Sequence, residues 1–374
     1  MDDVLTEANR IFGLGDLALE RSQHEEANSR FEEALALYRQ AGEVAGEANC
    51  IFSLGDIALK QSQNEEARRR FEEALRLYRQ LETVGGEANC IFGLGDLALK
   101  QSRHGEAHRR FEEALALYRQ EGVELGEANC ILGLGDLALT LSHHDDARGR
   151  YEEALRLYGR VGGVLGEANS VLGLGELALT RSHHEEARSR FEEALGLYRQ
   201  LGNVLGEGNC IFGFGEVALG GSKHEEARSL FEEALQLCRQ VGDVRGEANC
   251  ISGLGDIALE RSQHEMARRR FEEALALYRR IGAVVGEANC LSSLGDIAVA
   301  RSQDETARTR FEEALALYER IPEPYSVGMT HLELGRMATH TSARTLHTNA
   351  AKEAWASIDR LDLIEELDAE FGEG

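Results

Sequence analysis

Apolar and polar positions along this chain keep a helical spacing that restarts every 40 residues. Ile11, Leu14, Gly15 and Ala18 fall on one side of a helical wheel, because successive residues of an α-helix turn by about 100°. The pattern lapses near Arg21. Ser22-Gln23-His24-Glu25 follows with the spacing of a capping box, in which the serine caps a new helix and the glutamate reaches back. Ala27, Phe31, Ala34, Leu35 and Tyr38 then form a second apolar face. Gly42 and Gly46 read as the break before the next copy. Each unit is thus predicted to be a helical hairpin.

The restart is strict. Glu47-Ala48-Asn49-Cys50 returns as Glu87-Ala88-Asn89-Cys90 and continues to Glu287-Ala288-Asn289-Cys290, after a first copy at Glu7-Ala8-Asn9-Arg10. A unit this short can bury its apolar face only against its neighbours, so the predicted class is an all-α solenoid. Eight units are expected over residues 1–322. A degenerate ninth unit and a C-terminal capping helix are expected over 323–374. In the ninth, Leu334-Gly335 and Ala354 keep the pattern, while Ala351 and His347 replace the phenylalanine and a small alanine. An acidic amphipathic tail follows Trp355 and ends near Phe371. Unit six is irregular at Gly208, Phe214, Gly220-Gly221 and Cys238, where a bend or altered groove is expected.

The slots Leu14-Gly15, Ala27, Phe31 and Ala34 resemble the tetratricopeptide repeat, whose small residues let two helices approach and whose large ones fill the gaps. Ala18 stands where that repeat commonly has an aromatic, and the proline after its second helix is missing. The 40-residue form resembles the repeats of Pins/LGN adaptors and, more loosely, of kinesin light chains. The resemblance implies a right-handed superhelix. It also implies that the stripe of each first helix facing away from the core lines a concave groove, and that asparagine rows there clamp peptide backbones.

That stripe carries two ladders. One is amide: Asn9, Asn49, Asn89, Asn129, Asn169, Asn209, Asn249 and Asn289. The other is carboxylate: Asp16, Asp56, Asp96, Asp136, Glu176, Glu216, Asp256 and Asp296. An asparagine offers a donor and an acceptor, as a peptide group does. A carboxylate row selects cations, arginine above all, because its fork pairs twice. Between the ladders lie Phe12, Phe52, Phe92, Leu132, Leu172 and Phe212, beside Gly13, Gly93, Gly133, Gly173 and Gly213. These read as apolar plates and shallow sockets for aliphatic parts of a ligand. The competing reading makes the asparagines struts to a neighbouring helix and the carboxylates a solvated face. Aromatic rings off the core stripe favour the peptide groove.

Charge narrows the partners. A net charge of −25 opposes nucleic acid and anionic membranes. No apolar run reaches the roughly 18 residues of a membrane span. Met1-Asp2-Asp3-Val4 is acidic where a secretory signal is basic, so a cytoplasmic location is expected. Six of the seven cysteines share one slot, whose copies stand roughly 8–10 Å or more apart. A disulfide needs α-carbons within about 7 Å, so free buried thiols in a reducing compartment are expected.

Catalysis has weak support. His24, His104, His144, His184, His224 and His264 recur near the serines, with His143 and His183 beside two of them, but copies of one slot are too far apart to share a metal. The Glu32-Glu33 pair reads as a solvated outer face, partly neutralised by Arg30, Arg70 and Arg110. Gly13-Leu14-Gly15 lies inside a helix and lacks the lysine of a phosphate loop. No catalytic residue, metal or cofactor is expected. The leading function is a non-enzymatic scaffold clasping an extended, basic peptide. The alternatives are a sensor region of a larger signalling ATPase of the STAND/NLR-like kind, or self-association through an uncapped N-terminal repeat.

Overall fold

The computed structural model describes residues 2–21, 23–321, 323–358 and 360–371, with backbone only at Asp2 and Glu20. Nineteen helices and no strands occur among the described residues. The first hairpins pair α1 (Asp2–Glu20) with α2 (His24–Ala41), α3 (Val44–Lys60) with α4 (Asn64–Gln80), and α5 (Val84–Lys100) with α6 (His104–Glu121). Next come α7 (Glu124–Thr140) with α8 (His144–Val161), and α9 (Val164–Thr180) with α10 (His184–Leu201). The series runs on through α11 (Val204–Gly220), α12 (His224–Val241), α13 (Val244–Glu260), α14 (His264–Ile281), α15 (Val284–Ala300) and α16 (Asp304–Tyr318). The divergent end holds α17 (Pro324–Arg336), α18 (Thr341–Ala356) and α19 (Leu361–Phe371). The fold is an all-α solenoid. Two compact units divide it, residues 1–210 and 211–374.

Both predicted apolar faces are core. Ile11, Ala18, Ala27, Phe31, Ala34, Leu35 and Tyr38 are buried, as are their copies in the second unit such as Ile251, Phe271 and Tyr278. Close approach is set by glycine. A Cβ at Gly95 would stand 2.9 Å from the Phe111 ring of the same hairpin, and one at Gly93 would stand 2.8 Å from Phe71 of the preceding hairpin. Phe71, Phe111 and Phe231 are each held between two glycine-bearing helix faces. Arginines closing the second helices pair with the next first helix, as in Arg39–Glu47 and Arg79–Glu87 at 2.7 Å. Arg70–Glu32 at 2.6 Å ties neighbouring hairpins along the outer face read from the sequence.

Two local expectations are corrected. Ser22, on which the capping box was read, lies outside the described residues, but its copies Ser62, Ser102, Ser142, Ser182, Ser222, Ser262 and Ser302 all have φ between 55° and 59°. They end the first helix rather than start the second. Ser62 N–H donates to Leu59 O at 3.2 Å and Gln63 N–H to Ala58 O at 2.8 Å, the paired bonds of a left-handed helix stop. The N-cap of α4 is Gln63, and its side chain makes no capping bond. Gly42 does break the chain, at φ 71°. Gly46, however, lies inside α3, where the Tyr38 ring occupies the space of its absent side chain.

At the divergent end Trp355 is buried and donates from Nε1 to Tyr325 O at 3.3 Å. Leu367 of α19 packs into the same cluster, so α19 covers apolar surface that a further hairpin would otherwise cover. His331 and His347 stand in two core slots and meet Nδ1 to Nδ1 at 3.0 Å.

Candidate functional site

The stripe read as a groove begins with its asparagines, and their oxygens are already engaged. Tyr38 Oη donates to Asn9 Oδ1, Tyr78 to Asn49, Tyr118 to Asn89, Tyr158 to Asn129 and Tyr198 to Asn169, at 2.5–2.6 Å. In the second unit Tyr278 donates to Asn249 at 2.7 Å and Tyr318 to Asn289 at 2.6 Å. Each tyrosine belongs to the second helix of its hairpin, and, except at Tyr318, where Ser326 takes the slot, its ring lies over a glycine of the next first helix, as Tyr78 does over Gly86. One phenol therefore joins three helices. Burial holds the Tyr78 and Tyr118 phenols well above their ordinary pKa. Asn209 is the exception in sequence, because Cys238 occupies the tyrosine slot of unit six.

The expected dual role of these amides is thereby narrowed. One of the two acceptor sites of each oxygen is taken within the protein at seven positions, whereas both Nδ2 donor protons are left for other partners. Asn9, Asn49 and Asn89 are exposed, and Asn129 and Asn169 are half-buried.

The apolar plates are half core. Phe12, Phe52 and Phe92 are each half-buried and tilt against Phe31, Phe71 and Phe111 with ring centroids 5.2–5.7 Å apart. Phe212 meets Phe231 in the same way in the second unit. Of the sockets expected beside them, the one at Gly13 is open, but others are filled. Gly93, Gly133 and Gly173 are buried, and the rings of Phe71, Phe111 and Tyr151 from the preceding hairpins occupy the space a side chain would take. A helical wheel locates a residue on its own helix but not what a neighbouring repeat lays against it.

The carboxylates fall into two classes. Asp56 pairs with Lys60 at 2.8 Å and Asp96 with Lys100 at 3.6 Å, each one turn along the same helix. The lysine slot then becomes Thr140, Thr180, Gly220, Glu260 and Ala300. Among the described residues no lysine or arginine pairs with Asp136, Glu176, Glu216, Asp256 or Asp296. Water reaches Asp136 and Glu176, yet protein crowds them from the sides. That desolvation pushes Asp136 up to about 6, although Tyr151 Oη donates to it at 2.9 Å. Desolvation, followed by the charge of Asp136, pushes Glu176 up to about 7. In the second unit, burial lifts Glu216 to about 7 and both Asp256 and Asp296 to about 6. Carboxylates held above their ordinary range without a counterion favour an incoming cation.

One feature of the stripe escaped the sequence reading. Leu125, Leu165 and Leu205 lie one helical turn before Asn129, Asn169 and Asn209. They are 44–49% exposed and extend the stripe as an apolar margin. Their spacing of four residues from each asparagine was the available signal.

The histidines do not assemble. Nδ1 of His24, His104, His184 and His264 is buried without a partner among the described residues. Desolvation lowers the pKa of His24 and His104, which favours the neutral ring. Among the described residues no group of three or more His, Cys, Asp or Glu side chains could hold a metal ion. No helix among them is long and apolar enough to cross a membrane.

Comparisons with known proteins bear on the repeat and its fold. No curated protein matches the sequence. Among solved structures, a Rap protein complexed with competence and sporulation factor is similar with a TM-score of 0.64 and 14% identity, over 87% of this chain and 92% of that one. NprR in complex with its cognate peptide NprX is similar at 0.55 and 12%, over 88% and 89%. The signal transduction ATPase with numerous domains from Pyrococcus horikoshii, which has a tetratricopeptide repeat sensor, is similar at 0.54 and 14%, over 94% of this chain and 55% of that one. These likenesses concern the fold, not the narrower adaptor group read from the sequence. The tetratricopeptide repeat profile matches residues 6–80, 47–120, 127–200 and 209–280. With well over half of its length matched, the chain belongs to the tetratricopeptide repeat family.

Proposed function

We propose that this chain is a non-catalytic interaction scaffold whose first-helix stripe holds an extended peptide with cationic side chains, arginine in preference to lysine. The observation that carries this is the run of carboxylates without counterions, Asp136 and Glu176 in the first unit and Glu216, Asp256 and Asp296 in the second. An ionised, crowded carboxylate gains most from a partner that brings its own charge, and a guanidinium fork does so with two hydrogen bonds. The Asn Nδ2 groups supply donors for backbone carbonyls. Leu125, Leu165 and Leu205 offer contact for apolar side chains. NprR, of like fold, is solved with its cognate peptide, which makes a peptide ligand a reasonable class here.

Fluorescence anisotropy with labelled, unstructured decapeptides, one series rich in arginine and one in glutamate, tests the proposal. Arginine-rich peptides should bind, weaken as salt rises, and lose about tenfold in affinity with the Asp136→Asn/Glu176→Gln pair, or roughly 1.4 kcal/mol. Equal binding of both series, or an unchanged affinity in the double variant, overturns it.

A second reading follows from the likeness to the Pyrococcus horikoshii protein. There the tetratricopeptide repeats form a sensor, and 94% of this chain aligns with it. Under that reading the same stripe would receive the signal for a separate ATPase. Copurification with an ATPase subunit, or a nucleotide-binding region in the encoding gene, would support it.

A further inference from the structure

The irregular sixth repeat contains the one cysteine outside the repeated slot. Elsewhere a tyrosine stands there and separates successive thiols of the cysteine ladder, as Tyr78 does with Cys50 and Cys90 on either side. At Cys238 the large ring is replaced by a sulfur. A Cβ at Gly246 of α13 would stand 2.5 Å from Cys238 Sγ, so the sulfur lies directly on that helix. Cys250 is one turn further along the same face of α13. Beside Cys238 and buried, the Cys250 thiol is held well above its ordinary pKa. All seven cysteines are reduced and buried, and Cys238 alone stands in a tyrosine slot, with its sulfur against α13.

We propose that Cys238 and Cys250 form an oxidation site, a dithiol that closes to a disulfide when it meets a hydroperoxide. The sulfur of Cys238, as thiolate once the helix end opens, attacks the terminal peroxide oxygen; the O–O bond breaks, leaving a sulfenic acid and an alcohol or water. The second sulfur then attacks the sulfenic sulfur, forming the S–S bond and breaking the S–O bond. The departing hydroxide takes up the thiol proton as water. The two sulfurs lose two electrons and the peroxide gains them. Cys238 lies in the last turn of α12, before Gly242 in the left-handed region. Helix ends open most readily, which gives the oxidant its access. Oxidation would fasten the end of α12 to α13 within the second unit, a constraint that the other hairpins obtain from tyrosine.

Hydrogen peroxide on the intact chain tests this, followed by denaturation, thiol alkylation and tryptic mass spectrometry. Trypsin cleaves after Arg239 and Arg245, so the two cysteines fall on separate peptides, 229–239 and 246–261. The expected product is those peptides linked, with a loss of two hydrogens and five alkylated cysteines rather than seven. Cys238→Tyr, which restores the tyrosine of the other repeats, and Cys238→Ser should abolish the link and leave the remaining six alkylated. A wild-type chain that retains seven alkylated thiols overturns the proposal. So does linkage scattered among other cysteines, or a sulfinic acid at Cys238 without any link.

Discussion

Replacing Glu176 with glutamine should make the protein more stable, and the gain should depend on pH. An ordinary glutamate titrates near 4.5, whereas crowding by protein places Glu176 at about 7. The fold therefore binds a proton that the unfolded chain has released in the window from about pH 4.5 to 7. With more protons bound in the native state, unfolding free energy falls as pH rises through that window and levels off above it. At about 1.4 kcal/mol per pKa unit, a fully enclosed carboxylate moved this far would cost about 3 kcal/mol once ionised. Water reaches one side of Glu176, and screening lowers the cost, so about 1 kcal/mol is expected. The Glu176→Gln variant removes that cost and retains the shape. Its melting temperature at about pH 8 should exceed the parent's by about 1–2 °C. At about pH 5, where the native carboxyl is mostly protonated, the gain should shrink. Calorimetry on both proteins across this range decides it. A variant no more stable at the higher pH, or a gain that stays constant down to the lower one, would refute the claim that the groove carboxylates are held ionised against their surroundings.

Three further substitutions probe the frame. Ser102→Gly should stabilise by about 0.5–1 kcal/mol, because glycine takes the left-handed conformation without the Cβ penalty; destabilisation in urea titrations would instead return the serine to a capping role. Gly95→Ala puts a methyl 2.9 Å from the Phe111 ring and should cost about 1–3 kcal/mol by overpacking, seen as a lower urea midpoint. Tyr78→Phe removes the 2.6 Å bond to Asn49 at a cost of about 0.5–1.5 kcal/mol, and amide hydrogen exchange should rise across α3 and α4 while α7 and α8 stay unchanged.

The period, the hairpins and both apolar faces were legible because helical spacing and repeat length are properties of a single strand of sequence. The site was legible only in part. The asparagines meet tyrosines of another helix, whereas Asp56 and Asp96 meet lysines of their own. A hint was available, since a tyrosine rather than a phenylalanine fills slot 38 in seven of the eight full repeats. A buried phenol needs an acceptor, and the asparagine is the amide that recurs in all eight repeats. Lys60 and Lys100 were equally readable, four residues after Asp56 and Asp96. The glycine sockets could not be judged without the preceding hairpin. The serine was ambiguous, because one residue in so short a turn can close one helix or open the next.

The strut and the clamp, weighed as rivals in the sequence, are compatible at the level of single atoms. Tyr78 Oη fixes Asn49 through Oδ1, and a planar amide fixed at one end has its Nδ2 fixed too. Side-chain ordering costs roughly 0.5–1.5 kcal/mol for each rotamer immobilised on binding. Here the ordering happens during folding, so a backbone carbonyl reaching Nδ2 would meet a donor already in place. The same bond restricts the ligand. With one of the oxygen's two acceptor sites engaged, the row keeps more donor than acceptor capacity, so it favours the carbonyl edge of an extended chain over its N–H edge. Selection then falls to the carboxylates beyond Asp96, where the lysines stop. The tyrosine that stability demands is also what gives the asparagine row a direction.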